Sequence, residues 1–135
     1  MNKIVAICGP TAVGKTVYSI EIAKKFDGEI VSCDSMQLYK YMDIGSAKPS
    51  PDELNQVKHH LIGVVEPSEM FSVAKYKELA NDAIDDIISI GKLSIIAGGT
   101  GLYLDALLYD LDFAAAPSDD SLRDELYKIA EEKGN

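Results

Sequence analysis

Positive charge is scarce in this chain. One arginine, Arg123, and twelve lysines stand against twenty-two Asp and Glu in 135 residues, a formal charge of −9. That balance argues against a simple nucleic-acid-binding module. Its distribution softens the objection, because eight acids and three bases between Asp110 and Lys133 carry −5 of it and leave −4 for everything before. Charge runs of this kind read as solvated helix faces. Long apolar runs are missing too. No stretch approaches the roughly 20 residues of a membrane span, and no basic segment with a long apolar one after it opens the chain. A membrane protein is excluded on that pattern, and a cytoplasmic one is expected. Cysteine is limited to Cys8 and Cys33. They lack metal-site spacing and read as buried thiols of a reducing compartment.

What is present is the composition of a globular protein: 47% of residues are apolar, enough for a core in one domain spanning 1–135. Strand-like and helix-like stretches alternate. Apolar Ile4 to Cys8 reads as a strand. Lys15 to Phe26 follows with Val17, Ile20, Ala23 and Phe26 on one helical stripe, stopped by Asp27-Gly28. Glu29 to Cys33 is a second strand. Residues 36–58 are less regular, with Pro49 and Pro51 as breakers and a helical turn or two over Asp52 to Val57. A third strand is expected over His60 to Val65. Ser72 then caps the best helix in the chain, whose apolar residues from Val73 to Ile88 recur at helical spacing before Gly91. Leu93 to Ala97 is a fourth strand, Leu102 to Leu108 a helix, and Pro117-Ser118 opens a last amphipathic helix over Leu122 to Ile129. This alternation predicts an α/β fold, three-layered and P-loop NTPase-like, with a mainly parallel sheet between helices.

The chemistry starts at Gly9-Pro10-Thr11-Ala12-Val13-Gly14-Lys15-Thr16, a complete G-x-x-x-x-G-K-[ST] phosphate-binding loop between a strand and a helix. Gly9 and Gly14 let successive N–H groups turn into one concavity, where they hold a polyphosphate at the helix N-terminus. Lys15 is placed to reach the terminal phosphate and the Thr16 hydroxyl to ligate Mg²⁺. A di- or triphosphate ligand follows.

In a parallel sheet, ligands sit at the carboxyl ends of the strands. Pro10, Asp34 and Thr100 are therefore expected around one crevice. Asp34 can bind Mg²⁺ through water or act as a general base, and it also suits a turn or an N-cap. The fourth strand runs into Gly98-Gly99-Thr100-Gly101 instead of the carboxylate by which P-loop hydrolases hold Mg²⁺, which argues against ATP hydrolysis. The glycines allow close backbone approach or serve a purely structural turn; Thr100 adds a hydroxyl. His59-His60 reads as structural or solvent-facing, and no Cys or His cluster completes a transition-metal site. Tyr39 and Tyr41 suit base stacking or an ordinary rim. A small-molecule or nucleotide kinase shares the loop, but its lid arginines are missing. A non-catalytic nucleotide-binding module has nothing positive behind it.

Five stretches together, GPTAVGKT (9–16), DSMQLYKYMDIGSAKP (34–49), HHLIGVVEP (59–67), FSVAKY (71–76) and GGTGLYL (98–104), resemble bacterial tRNA dimethylallyltransferases, also called tRNA isopentenyltransferases. The resemblance covers nearly the whole chain. It implies transfer of a dimethylallyl group from its diphosphate to the exocyclic amine of the adenosine just 3′ of a tRNA anticodon, by a monomer. Carried over, the loop 9–16 holds the donor diphosphate with Lys15 and Thr16 catalytic and Thr16 on Mg²⁺. Asp34 is the general base, Asp34, Ser35, Met36 and Gln37 touch the target nucleotide, and Thr100 and Arg123 contact tRNA. Such enzymes continue into a helical insertion that grips the anticodon arm and an arginine-bearing stretch at the donor site. The resemblance thus implies an N-terminal part, inactive alone.

Overall fold

A computed structural model describes residues 3–109, 111 and 120–134. Strand β1 spans Ile4–Cys8, helix α1 Lys15–Phe26 and strand β2 Gly28–Cys33. Asp27 takes a left-handed conformation, φ 50°, to end α1, and its N–H bonds to Ala23 O. Ser50 and Glu53 form a reciprocal capping box on the short helix α2, Pro51–Leu54. Strand β3 is His59–His60, α3 is Val73–Ser89, β4 is Leu93–Gly98, α4 is Gly101–Leu108 and α5 is Asp120–Lys133. The Ser72 hydroxyl caps α3 as expected, accepting from Lys75 N. The expected Pro117-Ser118 start of α5 lies outside the described residues.

The sheet order is β1-β4-β2-β3 and every pairing is parallel. Alternate residues of β2 face opposite layers. Ile30 packs with Ile20, Ala23 and Ile95 under α1, whereas Val31 and Cys33 join Tyr76, Ala80 and Ile84 of α3 and Tyr103 of α4 on the other side. Tyr76 anchors that second layer: its ring stacks on Tyr103 at 4.0 Å and its hydroxyl donates to Ser32 O. This is the expected three-layer α/β architecture. No helix among the described residues is long and apolar enough to cross a membrane.

Two expectations are corrected. The third strand stops after two residues because Leu61 and Gly63 both take φ 61°, which no strand accommodates. Pairing then resumes with a parallel bridge between Tyr39 and Val65, so the segment after β2 is better ordered than its composition indicates, with Leu38 fully buried. The second correction is Cys8. It is exposed, because β1 is an outer strand of the described sheet, while Cys33 is buried as expected. Burial pushes the Cys33 thiol up to about 11.

The ends of three strands stand level. Cys8 pairs with Gly98 across β1 and β4, and Gly98 with Cys33 across β4 and β2. A Cβ on Gly98 would lie 2.1 Å from Cys33 O, so only glycine fits at that row. Gly98→Ala is expected to lower stability by about 1–3 kcal/mol through overpacking against rigid backbone. Chemical denaturation measures this; a midpoint equal to that of the unsubstituted chain would contradict the crowding.

Candidate functional site

The level strand ends deliver three loops to one place. The first, 9–16, curls as its glycine spacing requires. Ala12 and Gly14 take φ 65° and 90°, and Gly14 is the left-handed N-cap of α1. Lys15 folds back over the loop, its Nζ donating to Gly9 O at 2.8 Å and Pro10 O at 2.5 Å. Gly99 brings the third loop against the first: a Cβ there would sit 3.2 Å from Gly9 O and 3.9 Å from Lys15 Nζ.

Between these loops lies a cavity of about 240 Å³, lined by Thr11, Ala12, Gly14, Lys15 and Thr16 on one side and by Asp34 and Gln37 on another. Gly9, Pro10 and Val13 belong to the same loop but do not line the cavity; Gly9 and Pro10 contribute the carbonyls that hold Lys15. Asp34 takes the turn role. Its Oδ1 accepts from Met36 N at 2.8 Å and Gln37 N at 3.2 Å, an Asx turn that shapes 34–37. Among the described residues its Oδ2 makes no hydrogen bond, so the carboxylate has a second oxygen for a ligand.

Ser35, Met36 and Thr100 surround the cavity without lining it. Thr100 sits at the N-cap of α4, yet its hydroxyl does not cap the helix. Instead its Oγ1 accepts from Ser35 N at 3.0 Å and lies 3.4 Å from Ser35 Oγ, tying the loop after β4 to the loop after β2. Gln37 is fixed on both sides. Its Oε1 accepts from Ser32 Oγ at 3.0 Å and its Nε2 donates to Ala47 O at 2.9 Å. Lys48, its side chain only 8% exposed, bonds Tyr39 O and Asp43 and closes the 39–48 segment. Tyr41 projects from that segment, 78% exposed, whereas Tyr39 packs on the core. Arg123 lies apart, exposed on α5 and not among the cavity-lining residues.

The polar lining residues that sequence reasoning did not assign to the site are Ser19, Ser32 and His59, the last of which it read as structural or solvent-facing. Ser32 was within reach of period-2 reasoning, being two positions before Asp34, which directly follows β2. The histidine pair divides. His60 Nε2 meets the buried carboxylate of Glu29 at 2.7 Å, beside Lys92 at 3.1 Å and Lys58 at 3.4 Å, a structural ion cluster. Burial works to raise the Glu29 carboxyl, but hydrogen bonds from His60 and Lys92 and the lysine charges prevail and hold it below its ordinary value.

The oxygen donors suit Mg²⁺, a hard ion that takes one or two protein oxygens and completes its shell with phosphate and water. Thr16 and the Asp34 carboxylate line one cavity and supply that donor type. Among the described residues no group of three or more His, Cys, Asp or Glu forms a larger metal cluster.

A family model described as IPP transferase matches residues 37–135. The chain belongs to the IPP transferase family. A tRNA dimethylallyltransferase of Acetivibrio thermocellus is 56% identical over 135 residues, all of this chain and 43% of that protein. One from an Exiguobacterium species is 55% identical over 131 residues, covering 97% of this chain and 42% of its own length. The full-length tRNA isopentenylpyrophosphate transferase of Bacillus halodurans superposes with a TM-score of 0.82 at 45% identity, over 99% of this chain and 44% of that one. A eukaryotic dimethylallyltransferase captured acting on tRNA matches with a TM-score of 0.80 at 34% identity, over 90% and 31%. The chain thus spans less than half the length of these IPP transferase relatives.

Lys15 is the cationic side chain among the cavity-lining residues. Lys15→Ala is expected to weaken binding of inorganic diphosphate by about tenfold or more while leaving the melting temperature near that of the parent, as befits a lost charged hydrogen bond. Calorimetric titration checks this, and undiminished affinity would remove Lys15 from the phosphate site.

Proposed function

We propose that this chain carries the donor site and general base of a tRNA dimethylallyltransferase. It would act on the exocyclic amine of the adenosine 3′ of the anticodon and release diphosphate. The observation behind the reading is a single cavity that holds Lys15 and Thr16 of a phosphate loop together with the Asp34 carboxylate. The second support is that β4 ends in glycine, where a P-loop hydrolase would place an acid. Family membership favours this reading over a kinase. The same reading makes the protein a monomer working in the cytoplasm, where its tRNA substrate is found.

A phosphate loop recognises phosphates, not what they are joined to. Backbone N–H groups of 9–16 and Lys15 would stabilise charge on the diphosphate as the allylic carbon–oxygen bond breaks. Bound Mg²⁺, held by Thr16 with Asp34 nearby, would supply further neutralisation of that leaving group. The adenine amine is a weak nucleophile because its lone pair is delocalised into the ring. Its nitrogen forms the new bond to the allylic carbon, and the proton it sheds goes to Asp34. The Asx turn holds Asp34 for this through Oδ1 and leaves Oδ2 to take the proton. The target base must leave its stack to reach the cavity, a cost of a few kcal/mol that an anticodon loop reduces. Ser35, Met36 and Gln37 would meet that nucleotide. In this reading Thr100 acts on tRNA recognition through Ser35, and Arg123 by a phosphate contact outside the cavity.

In a chain that carries the continuation its relatives have, Asp34→Asn is expected to lower single-turnover transfer by about 10²-fold or more with donor affinity nearly intact. Near-normal turnover with weakened Mg²⁺ dependence would make Asp34 a metal ligand instead. The 135 residues by themselves are expected to bind diphosphate but not to modify tRNA. Tight tRNA binding needs several Lys or Arg phosphate contacts, and Arg123 stands among Asp119, Asp120, Asp124 and Glu125. Titration with unmodified tRNA at physiological salt, combined with transfer from labelled donor, decides this. Micromolar binding with turnover would overturn it.

A further inference from the structure

Beside the cavity at the phosphate loop lies a second one, of about 610 Å³, and the two share Pro49 and Ile62 as a common wall. Tyr41 lines the second cavity and is 78% exposed. Among the described residues its ring stacks on no other and its hydroxyl makes no hydrogen bond. Its backbone is also ill suited to an aromatic residue. At φ 63° Tyr41 sits in the left-handed region, where a Cβ is strained and glycine is not. The segment holds it there from both sides, through Lys40 N on Val65 O and Lys48 Nζ on Tyr39 O and Asp43. The ring is kept at a cost to the fold and returns no hydrogen bond or ring contact.

What the second cavity can take follows from its walls. The two lysines that line it are already paired, Lys40 with Glu66 at 2.5 Å and Lys48 with Asp43 at 2.9 Å, so little positive charge is left to attract a phosphate. Pro49, Leu54 and Ile62 give it apolar surface, and Tyr41 adds an exposed aromatic face. A flat, uncharged group with polar edges, such as a nucleobase, suits that combination. The first cavity supplies the reason for one to arrive. When the target base leaves its stack to reach Asp34, the neighbouring base loses a stacking partner and has one face bare. That neighbour comes within reach of whatever adjoins the first cavity, and the second cavity adjoins it across Pro49 and Ile62.

We propose that Tyr41 is a stacking platform for the base next to the target in the substrate RNA, with the second cavity as that base's seat. This rests on the reading of the chain as part of a tRNA-modifying transferase. Tyr41 then sets how tightly the RNA is held and takes no part in the bond exchange at Asp34.

The test uses a chain with the continuation its relatives carry and an anticodon stem-loop with 2-aminopurine, whose fluorescence falls on stacking, placed on either side of the target in turn. Tyr41→Ala is expected to raise the KM for the RNA by about five- to a hundredfold, the range of one base–aromatic stack, with single-turnover transfer at saturating RNA near that of the parent. Tyr41→Phe and Tyr41→Trp, which keep an aromatic face, should stay near the parental KM. One 2-aminopurine position should be quenched by the parent and not by the Tyr41→Ala form. The loss should be the same at low and physiological salt, as stacking requires and a phosphate contact does not. In the 135-residue chain Tyr41→Gly should melt no lower than the parent; a lower melting temperature would make the ring a structural element and overturn the inference. An unchanged KM without Tyr41-dependent quenching would also overturn it, and transfer by the parent would leave the transferase reading standing. A parent that binds diphosphate but transfers nothing to any RNA would overturn both.

Discussion

The register of β4 between β1 and β2 is the constraint on which the site depends. Because Cys8, Gly98 and Cys33 fall on one row, the chain leaves three strands at the same height and every loop that follows starts level with the others. A slip of β4 that set Ala97 on this row in place of Gly98 would bring a side chain into a space that has no room for one. The phosphate loop, the Asp34 turn and the Gly99-Thr100 segment meet because of that row. The hydrogen bond from Ser35 N to Thr100 Oγ1 and the close approach of Gly99 to Gly9 O fine-tune an arrangement that strand pairing has already set.

Much of this was legible in the residues alone, and the reasons differ by element. The 9–16 loop is readable because its motif is written in backbone conformation, and glycine is the residue that backbone conformation selects. Helix α3 was readable from Ser72 and from a long apolar period that only a helix buries on one side. The third strand was misjudged because His60 to Val65 is apolar enough to be a strand, and nothing in Leu61 announces a left-handed backbone. Tertiary packing imposes it, and the cost for a non-glycine residue is recovered by the burial of Leu61 and Val65 in the core.

The histidine pair shows where pattern reading ends. Two identical neighbours on a strand point to opposite faces. His60 completes an ion cluster with Glu29 on one face, and His59 reaches the cavity on the other. Composition sees one dipeptide, whereas the sheet sees a structural residue and a site residue. Arg123 is the opposite case. Its family resemblance points to tRNA, but α5 holds it in solvent, apart from the cavity, where its contact would be with a partner that arrives from outside.

Lys15 carries a consequence for how strongly the loop can hold anything. With Nζ on Gly9 O and Pro10 O, the ammonium uses the loop's own carbonyls as a stand-in for phosphate oxygens. In the proposed reading an incoming diphosphate would compete with an intramolecular ligand, and its affinity would be the difference between two sets of charged contacts. The same contacts of Lys15 tie the two ends of the 9–16 loop together and surround the ammonium with fixed dipoles. On that reading, release of diphosphate would be an exchange between the two sets, with the loop's own carbonyls ready to take the lysine back.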